Sequence, residues 1–213
     1  MKKLLLLALA AAMILTLAAC GGTSAPANSG DDIPDEEDIS HQSIDVSDCD
    51  TFTQIVDKKL SDGMGYANVN IDGTDVLLVS GGVFNNNPDE GDPFWAAVDS
   101  EIYFYDEDGS IGFMGYVTAG GTAYPLALCD GKLFAGRNHG MTIYTVDPEL
   151  GVVLIDNQAW IEFDKEGNES YYHSSDISGA LGDEGKLEDD SVLLSYLQEY
   201  SEAEIIEFSR VEK

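Results

Sequence analysis

The chain has 213 residues, 44% of them hydrophobic, and it carries 40 acidic against 10 basic residues, for a formal net charge of −30. This charge argues against nucleic-acid binding, because phosphate neutralisation requires lysine and arginine. It also argues against direct binding of the folded part to anionic lipid, while it permits cationic partners or divalent ions and favours solubility at a crowded cell surface.

The N-terminal stretch has the composition of an export signal. Lys2 and Lys3 precede an apolar run from Leu4 to Ala19, which is shorter than the roughly 18 residues or more of a membrane-spanning helix. The sequence LAAC at residues 17–20 resembles the lipobox of bacterial lipoproteins. The resemblance implies that the signal, residues 1–19, is removed and that Cys20 becomes a diacylglyceryl-modified N-terminus, which anchors the chain in the lipid bilayer on the extracytoplasmic face. The alternative is an ordinary secretory signal with a chance cysteine.

Residues 20–48 form the predicted tether between the anchor and the folded part. After the cysteine comes GGTSAPANSG, a flexible composition, and then a run of acidic residues. No hydrophobic period occurs before about residue 48, so we expect this segment to lack a fixed fold. Loss of the signal would leave eight basic and 40 acidic residues, a net charge of −32. Residues 49–213 have the length of a single domain.

Two cysteines remain in the predicted domain, Cys49 and Cys129. Outside the cytoplasm they can form a disulfide, and the alternative is two unpaired thiols. Asp48 and Asp50 flank Cys49, and their charges disfavour a thiolate, so Cys49 is a poor candidate for a nucleophile.

After residue 50 the pattern changes from one helix to repeated strands. The stretch DTFTQIVDKKL (50–60) predicts a helix, because Thr51 and Gln54 fit a capping box and apolar residues recur on one face. Short strand patterns follow at roughly ten-residue spacing with Asp-Gly turn signals between them, and a second helix is predicted at 189–200. The predicted fold is mainly β: an antiparallel meander, either a sandwich or a partly open barrel, with one or two covering α-helices. The predicted strands are 66–71, 75–80, 94–105, 111–118, 122–129, 132–137, 141–146, 152–156, 159–164, 169–173 and 204–211.

The Asp-Gly turn at 108–109 predicts a specific register for one hairpin. A two-residue turn pairs Phe104 with Phe113 and Ile102 with Gly115. It also places a set of apolar side chains on one face, which we expect to lie in the core: Val98, Ile102, Phe104, Ile111, Phe113 and Val117.

Further short stretches carry resemblances to known repeats and families. DGKLFAG (130–136) and IYTVDPELG (143–151) resemble pieces of propeller-blade repeats, but no period of about 40 residues runs through the chain. GTAYPLA (121–127) and DGKLFAG beside the lipobox make the ectodomain similar to uncharacterised bacterial lipoproteins, a resemblance that implies no particular activity.

Four common catalytic and cofactor motifs do not occur in the sequence. GxSxG, HExxH, Walker and dinucleotide fingerprints are missing, so no cofactor is expected. The acidic loops DEDGS (106–110) and NNNPDEGD (85–92) do not fit the ligand spacing of an EF-hand, so we expect turns there and no metal site. The predicted hairpin separates Cys129 from His139 by more than about 20 Å, which excludes a nucleophile pair.

The far end of that hairpin provides the first candidate binding surface. A two-residue turn at 130–131 places Tyr124 opposite Arg137 and Thr122 opposite His139, with Asn138 beside them. A cation–π contact between Arg137 and Tyr124 would complete a group that suits an anionic or hydroxyl-rich ligand. The alternative is that Arg137 forms an ion pair with one of the many carboxylates and that His139 is a turn residue.

The strand FWAAVDSEIYFYD (94–106) provides the second candidate surface. Aromatic and acidic side chains alternate onto one face, a combination that suits glycan binding. The carboxylates of Asp99 and Glu101, about 7 Å apart along the strand, fall in the loose range for glycoside hydrolysis. The alternative is that the aromatic residues pack beneath the helices. The residues on this face are Trp95, Asp99, Glu101, Tyr103 and Tyr105.

The sequence therefore favours a lipid-anchored, extracytoplasmic, non-catalytic module of the cell envelope. Its expected partners are the bilayer, through acylated Cys20, and a glycan or an envelope protein, and nucleic acid is not expected. The alternative function is an envelope glycan hydrolase that uses Asp99 and Glu101.

Overall fold

The computed structural model describes residues 43–87, 91–175 and 185–213, which belong to one compact unit. Strands dominate these residues, their pairings are antiparallel, and two helices accompany them, which confirms the predicted mainly β class with covering helices. The helices are α1 (Phe52–Lys59) and α2 (Ser191–Glu202). The strands are β1 (Gly65–Ile71), β2 (Thr74–Ser80), β3 (Phe84–Asn85), β4 (Trp95–Ala96), β5 (Asp99–Tyr105), β6 (Ile111–Thr118), β7 (Ala127–Cys129), β8 (Lys132–Arg137), β9 (Gly140–Asp147), β10 (Val152–Phe163), β11 (Glu169–Ser174), β12 (Lys186–Leu187), β13 (Glu204–Ile205) and β14 (Ser209–Arg210).

Two sheets pack face to face and enclose the main core. The five-stranded sheet has the order β14-β1-β2-β5-β6, the seven-stranded sheet has the order β12-β11-β10-β9-β8-β7-β13, and β3 and β4 form a separate pair. Val76, Leu78 and Ile102 of the first sheet share one buried cluster with Leu133 and Ala135 of the second. Full burial of a large aliphatic side chain contributes about 1.5–3 kcal/mol, so this cluster holds the sandwich together.

Each helix covers the outer face of one sheet. Strand residues that alternate with the core positions point outward, and Leu77 and Tyr103 of the five-stranded sheet are buried with Ile55 of α1. On the opposite side, Phe134 of the seven-stranded sheet is buried with Leu193 of α2. The side-chain period of two along each strand therefore produces four layers, helix–sheet–sheet–helix.

Helix α1 begins at the predicted capping residue. Thr51 Oγ1 accepts a 3.2 Å hydrogen bond from the backbone N–H of Gln54. The Gln54 side-chain oxygen accepts a 3.0 Å hydrogen bond from the backbone N–H of Asp50. A capping box would use the N–H of the N-cap residue Thr51, which is one residue later. The helix is attached to the sheet at its first turn, where the Phe52 ring stacks on Tyr105 at 4.3 Å and the Tyr105 hydroxyl accepts the Phe52 N–H.

Several predicted strands differ from those in the structure. The strand at 122–129 is reduced to β7, because the residues before it cross from β6 in one sheet to β7 in the other. The strand at 94–105 is divided into β4 and β5, and the two at 152–156 and 159–164 form one strand, β10, with a bulge between Ile155 and Asn157. The last predicted strand is two short ones, β13 and β14, which join different sheets.

The predicted β5–β6 register is correct at one pair and wrong at the other. Ile102 pairs with Gly115 as predicted, but Phe104 pairs with Gly112 instead of Phe113. The turn contains five residues, not two, because Tyr105 pairs with Ile111. A bulge then shifts the register back before Gly115.

This shift changes the expected core. Ile102, Phe104 and Val117 lie in the core between the sheets. Ile111 packs on the side of α1, and Phe113 is 38% exposed, so Phe113 was wrongly assigned to the core. Val98 is only half-buried.

The segment before α1 belongs to the folded unit. Ile44 and Val46, which the sequence pattern assigned to the tether, pack on the cluster around α1. Cys49 is buried in the same cluster, whereas Cys129 lies on the side of α2, and both are free thiols. Burial raises the pKa of both thiols, and the charge of Asp48 raises that of Cys49 further.

The signal, the lipobox with Cys20 and the rest of residues 1–42 lie outside the described residues, as do residues 88–90 of one acidic loop. Neither helix in the described ranges has the length and apolar character of a transmembrane span. Over the same ranges, no group of three or more His, Cys, Asp or Glu side chains is arranged to hold a metal ion.

Candidate functional site

One end of the seven-stranded sheet carries a row of paired residues that crosses five strands. Arg137 at the end of β8 pairs with Gly140, which pairs with Trp160 of β10. Trp160 pairs with Tyr172 of β11, and Tyr172 pairs with Lys186 of β12. Directly opposite residues share a face of the sheet, so two cations flank two aromatic rings. Arg137 follows the core residues of β8 by a period of two, which places the row on the core-side face.

A depression of about 500 Å³ lies at the Arg137 end of this row. Asn138 and His139 form the turn between β8 and β9, and Trp160 forms the opposite wall. The Trp160 indole N–H donates a 3.0 Å hydrogen bond to Glu162, which fixes the ring orientation. The depression is lined by Gly120, Arg137, Asn138, His139, Trp160, Ile161 and Glu162.

Two glycines make this depression sterically feasible. A Cβ atom at Gly120 would lie 2.7 Å from Cβ of Arg137, so a side chain there would push the loop away from β8. A Cβ atom at Gly140 would lie 2.8 Å from Nε of Arg137 and 3.2 Å from Cβ of Trp160. Arg137 therefore leans across the position that lacks a side chain, towards Trp160.

The Arg137 guanidinium is exposed and makes no ion pair within residues 43–87, 91–175 and 185–213. The alternative expectation, a salt bridge to one of the many carboxylates, is therefore not met among these residues. His139 is a turn residue, as that alternative proposed, and its ring and that of Phe163 pack edge-to-face with centroids 4.8 Å apart. An arginine that makes no ion pair among the described residues and lies beside an aromatic wall can bind a ligand.

Thr122 and Tyr124 do not join this site as predicted. Residues 119–126 leave the ladder, with the N–H of Gly120 bonded to the carbonyl of Gly136, so the pairing of Tyr124 with Arg137 is not formed. The Tyr124 ring instead contacts Tyr200 of α2 edge-on at 5.9 Å. Thr122 is exposed in a turn.

Sequence reasoning missed the aromatic half of the row. The rings of Trp160 and Tyr172 stack with centroids 5.4 Å apart and an interplanar angle of 15°, and Lys186 Nζ lies 6.0 Å from the Tyr172 ring centre. Alternation along the predicted strands would have placed Trp160 and Glu162 on one face. It could not align them with Arg137, because that alignment depends on the bulge in β10.

The second predicted surface is largely closed. Tyr103 is fully buried beneath α1, whereas Tyr105 stacks on Phe52 at the first turn of that helix and stays 41% exposed. Trp95 packs against the central core, and the guanidinium of Arg210 lies over its ring at 4.6 Å. The aromatic residues of this strand therefore do not form an open platform.

The two carboxylates of that strand are already hydrogen-bonded. Asp99 accepts from the hydroxyls of Ser80 at 2.6 Å and Tyr116 at 3.2 Å. Glu101 is 6% exposed and accepts from the Tyr103 hydroxyl and from the N–H of Ile44.

Burial, followed by the bond to Glu101, raises the pKa of Tyr103 far above its usual range, so Tyr103 stays a neutral donor. A hydrolase alternative would require Glu101 to reach a glycan, and the segment around Ile44 stands in the way.

A comparison with protein-family models found no match, and searches of curated proteins and of solved structures found none either. The functional argument therefore depends on the geometry of the site.

Proposed function

We propose that this chain is a lipid-anchored, extracytoplasmic lipoprotein of the bacterial cell envelope that acts as a non-catalytic binding module. Acylated Cys20 is the proposed anchor, and the ligand site is the depression beside Arg137. The observation that supports this role best is an exposed Arg137, without an ion pair in the described part of the chain, facing the indole wall of Trp160. An exposed guanidinium offers charge-assisted hydrogen bonds and an indole ring offers a large apolar surface, and both help to hold a ligand.

The chemistry of the depression favours binding over catalysis. Its lining offers guanidinium, amide, imidazole and indole groups, but no hydroxyl or thiol nucleophile among the residues that form it. His139 and Glu162 are its titratable groups besides arginine, and Glu162 accepts the indole N–H of Trp160. These groups are suited to orienting a ligand by hydrogen bonds around an aromatic surface.

The size of the depression favours a glycan over an envelope protein as the partner. About 500 Å³ falls within the range of roughly 300–1,000 Å³ that is typical of small-ligand sites. A stable protein partner would require a contact surface of about 800 Å² on each side.

The test is a binding screen with envelope glycans and peptidoglycan fragments, using the chain without residues 1–20. Arg137→Ala should abolish binding and leave the thermal melt nearly unchanged, because an exposed arginine with no ion pair among the described residues contributes under about 1 kcal/mol to folding. Arg210→Ala is the matched control, since Arg210 is the other arginine of the chain and should not affect binding. Marked destabilisation by Arg137→Ala with ligand affinity retained would remove this site from consideration.

A further inference from the structure

The Arg137–Trp160 depression contains one open aromatic face. One face of the Trp160 indole is covered by Tyr172, whose ring lies nearly parallel at 5.4 Å. The other face of the indole is directed towards Gly140, which contributes no side chain, and towards the depression. Because the indole N–H is bonded to Glu162 and the ring is supported by Tyr172, this face is held in place before any ligand arrives.

The chain contains two arginines and two tryptophans, and they form two different arrangements. Arg210 lies directly over the Trp95 ring at 4.6 Å, so that pair is satisfied internally. Arg137 and Trp160 lie on the two strands that flank Gly140, and both line the depression. Within the described part of the chain, Arg137 makes no ion pair and no cation lies over the Trp160 ring.

We propose that this depression binds a saccharide that carries a carboxylate, an inference that rests on the proposed binding function. The sugar ring lies on the open face of Trp160, and its carboxylate pairs with the guanidinium of Arg137. Sugar rings present an apolar C–H face that suits an aromatic wall, and hydroxyl groups at their rim suit Asn138 and Glu162. Arginine pairs with carboxylates through two parallel N–H···O bonds, which provides the selectivity for an acidic sugar.

Among the described carboxylates, that of Glu162 lines the depression itself and repels a second carboxylate, so the ligand carboxylate has to bind at Arg137 with the sugar hydroxyls towards Glu162. At physiological ionic strength, charges are screened beyond about 8 Å, so carboxylates elsewhere on the chain act weakly on a ligand at Arg137. Lys186, the second cation on this face, lies four strands away from Arg137, so its charge is screened in the same way. Binding should weaken as salt increases, because one ion pair dominates the selectivity.

The experiment titrates the chain without residues 1–20 with a uronic-acid trisaccharide, and in parallel with a neutral trisaccharide. Calorimetry should show saturable binding of the acidic trisaccharide and at least about tenfold weaker binding of the neutral one. Arg137→Ala should reduce affinity for the acidic trisaccharide by at least about tenfold, whereas Arg210→Ala should leave it unchanged.

Tryptophan fluorescence supplies the second readout. The acidic trisaccharide should change the emission of the wild-type chain and of Trp95→Phe, and the change should be lost in Trp160→Phe. Loss of the signal in Trp95→Phe instead would place the ligand at the other tryptophan and overturn the assignment.

The outcomes separate this inference from the proposed function. Equal affinity for the acidic and neutral trisaccharides, still dependent on Arg137, would overturn the carboxylate selectivity and leave the binding function standing. If neither trisaccharide binds but another envelope fragment binds in an Arg137-dependent way, the acidic-saccharide inference is overturned and the proposed binding function stands. No Arg137-dependent binding of any glycan or peptidoglycan fragment would overturn both.

Discussion

The backbone N–H of Asp72 donates a 2.8 Å hydrogen bond to the carbonyl oxygen of Gly131, and this bond joins hairpin turns from the two opposing sheets. Both turns are two-residue Asp-Gly turns, and Asp72 and Asp130 have φ values of 49° and 48°. The Asp72 carboxylate adds hydrogen bonds from Thr145 Oγ1 at 2.9 Å and Lys132 Nζ at 3.3 Å. One residue of the five-stranded sheet therefore contacts three strands or turns of the other sheet.

Substitution of Asp72 should separate the effect of its charge from that of its backbone conformation. Asn tolerates positive φ and retains an oxygen for Thr145, so Asp72→Asn should lower the Tm less than Asp72→Ala, which loses both properties. The hydrogen bond from Thr145, and then that from Lys132, lowers the pKa of Asp72 below its usual 3.8. Its contribution is therefore present above pH 3.8 and is lost as the pH falls through the lowered value.

Thermal melts at neutral pH and near pH 3 test both statements. The difference in Tm between wild type and Asp72→Asn should narrow at the acidic pH, because protonation removes the charge from the wild type as well. Equal Tm values for Asp72→Asn and Asp72→Ala would show that neither the tolerance of positive φ nor the oxygen for Thr145 contributes to stability.

Local turn chemistry could be predicted where the turn residues alone decide it. The Asp-Gly turns at 72–73 and 130–131 follow from the preference of such pairs for positive φ at both positions. The same reasoning fails at 108–109, because Asp106 Oδ1 accepts the N–H groups of Asp108 and Ser110 and so creates a five-residue turn. The Asp106 side chain here takes backbone N–H groups that would otherwise pair between the strands, and the Asp108-Gly109 pair alone gives no sign of this.

The candidate site also could be predicted only in the part that depends on residues close together in the sequence. Arg137, Asn138 and His139 are consecutive at a hairpin end, so the sequence could place them together. Their alignment with Trp160 depends on pairing between β9 and β10, and a one-residue bulge in β10 decides which side chains face the depression. Periodicity within one strand contains no information on that pairing.

The bulge in β6 leads to a second prediction, at Gly115. This residue has a φ of 154°, and a Cβ atom there would overlap Cγ1 of Val153 in the opposing sheet. Gly115→Ala should therefore destabilise the domain by about 1–3 kcal/mol through overpacking. Gly121 is a matched control, since its φ is 148° and no atom lies within 4 Å of the corresponding position. Urea unfolding should show a clearly larger loss for Gly115→Ala, and equal losses would assign the effect to backbone strain alone.

Tyr200 leads to a prediction for alkaline conditions. Its hydroxyl donates a 2.7 Å hydrogen bond to the carbonyl of Pro125, and burial raises its pKa to about 12 from an ordinary value of 10.0. Folding therefore favours the protonated form, so its contribution is complete below pH 10 and is lost as the pH rises towards 12. Tyr200→Phe should cost about 0.5–1.5 kcal/mol at neutral pH, the net value of one hydrogen bond, and should flatten the loss of stability above pH 10.

Urea unfolding at pH 8 and pH 11 measures that difference. Tyr103 also has a raised pKa and should retain part of the alkaline sensitivity in the Tyr200→Phe variant. An unchanged slope between the two pH values would exclude Tyr200 as a contributor.

The proposed anchor is tested at Cys20. Cys20→Ala removes the only thiol beside the predicted cleavage position, so it should abolish incorporation of a labelled fatty acid and leave uncleaved precursor. Cys49→Ala is the matched control: Cys49 is buried in the folded unit, and its substitution should leave labelling and processing unchanged.

Metabolic labelling in a bacterial host, followed by fractionation, provides the measurement, and wild-type levels of label in Cys20→Ala would contradict the lipoprotein assignment. Without two or more acyl chains the anchor should fail, because each buried CH₂ contributes only about 0.8 kcal/mol to membrane binding.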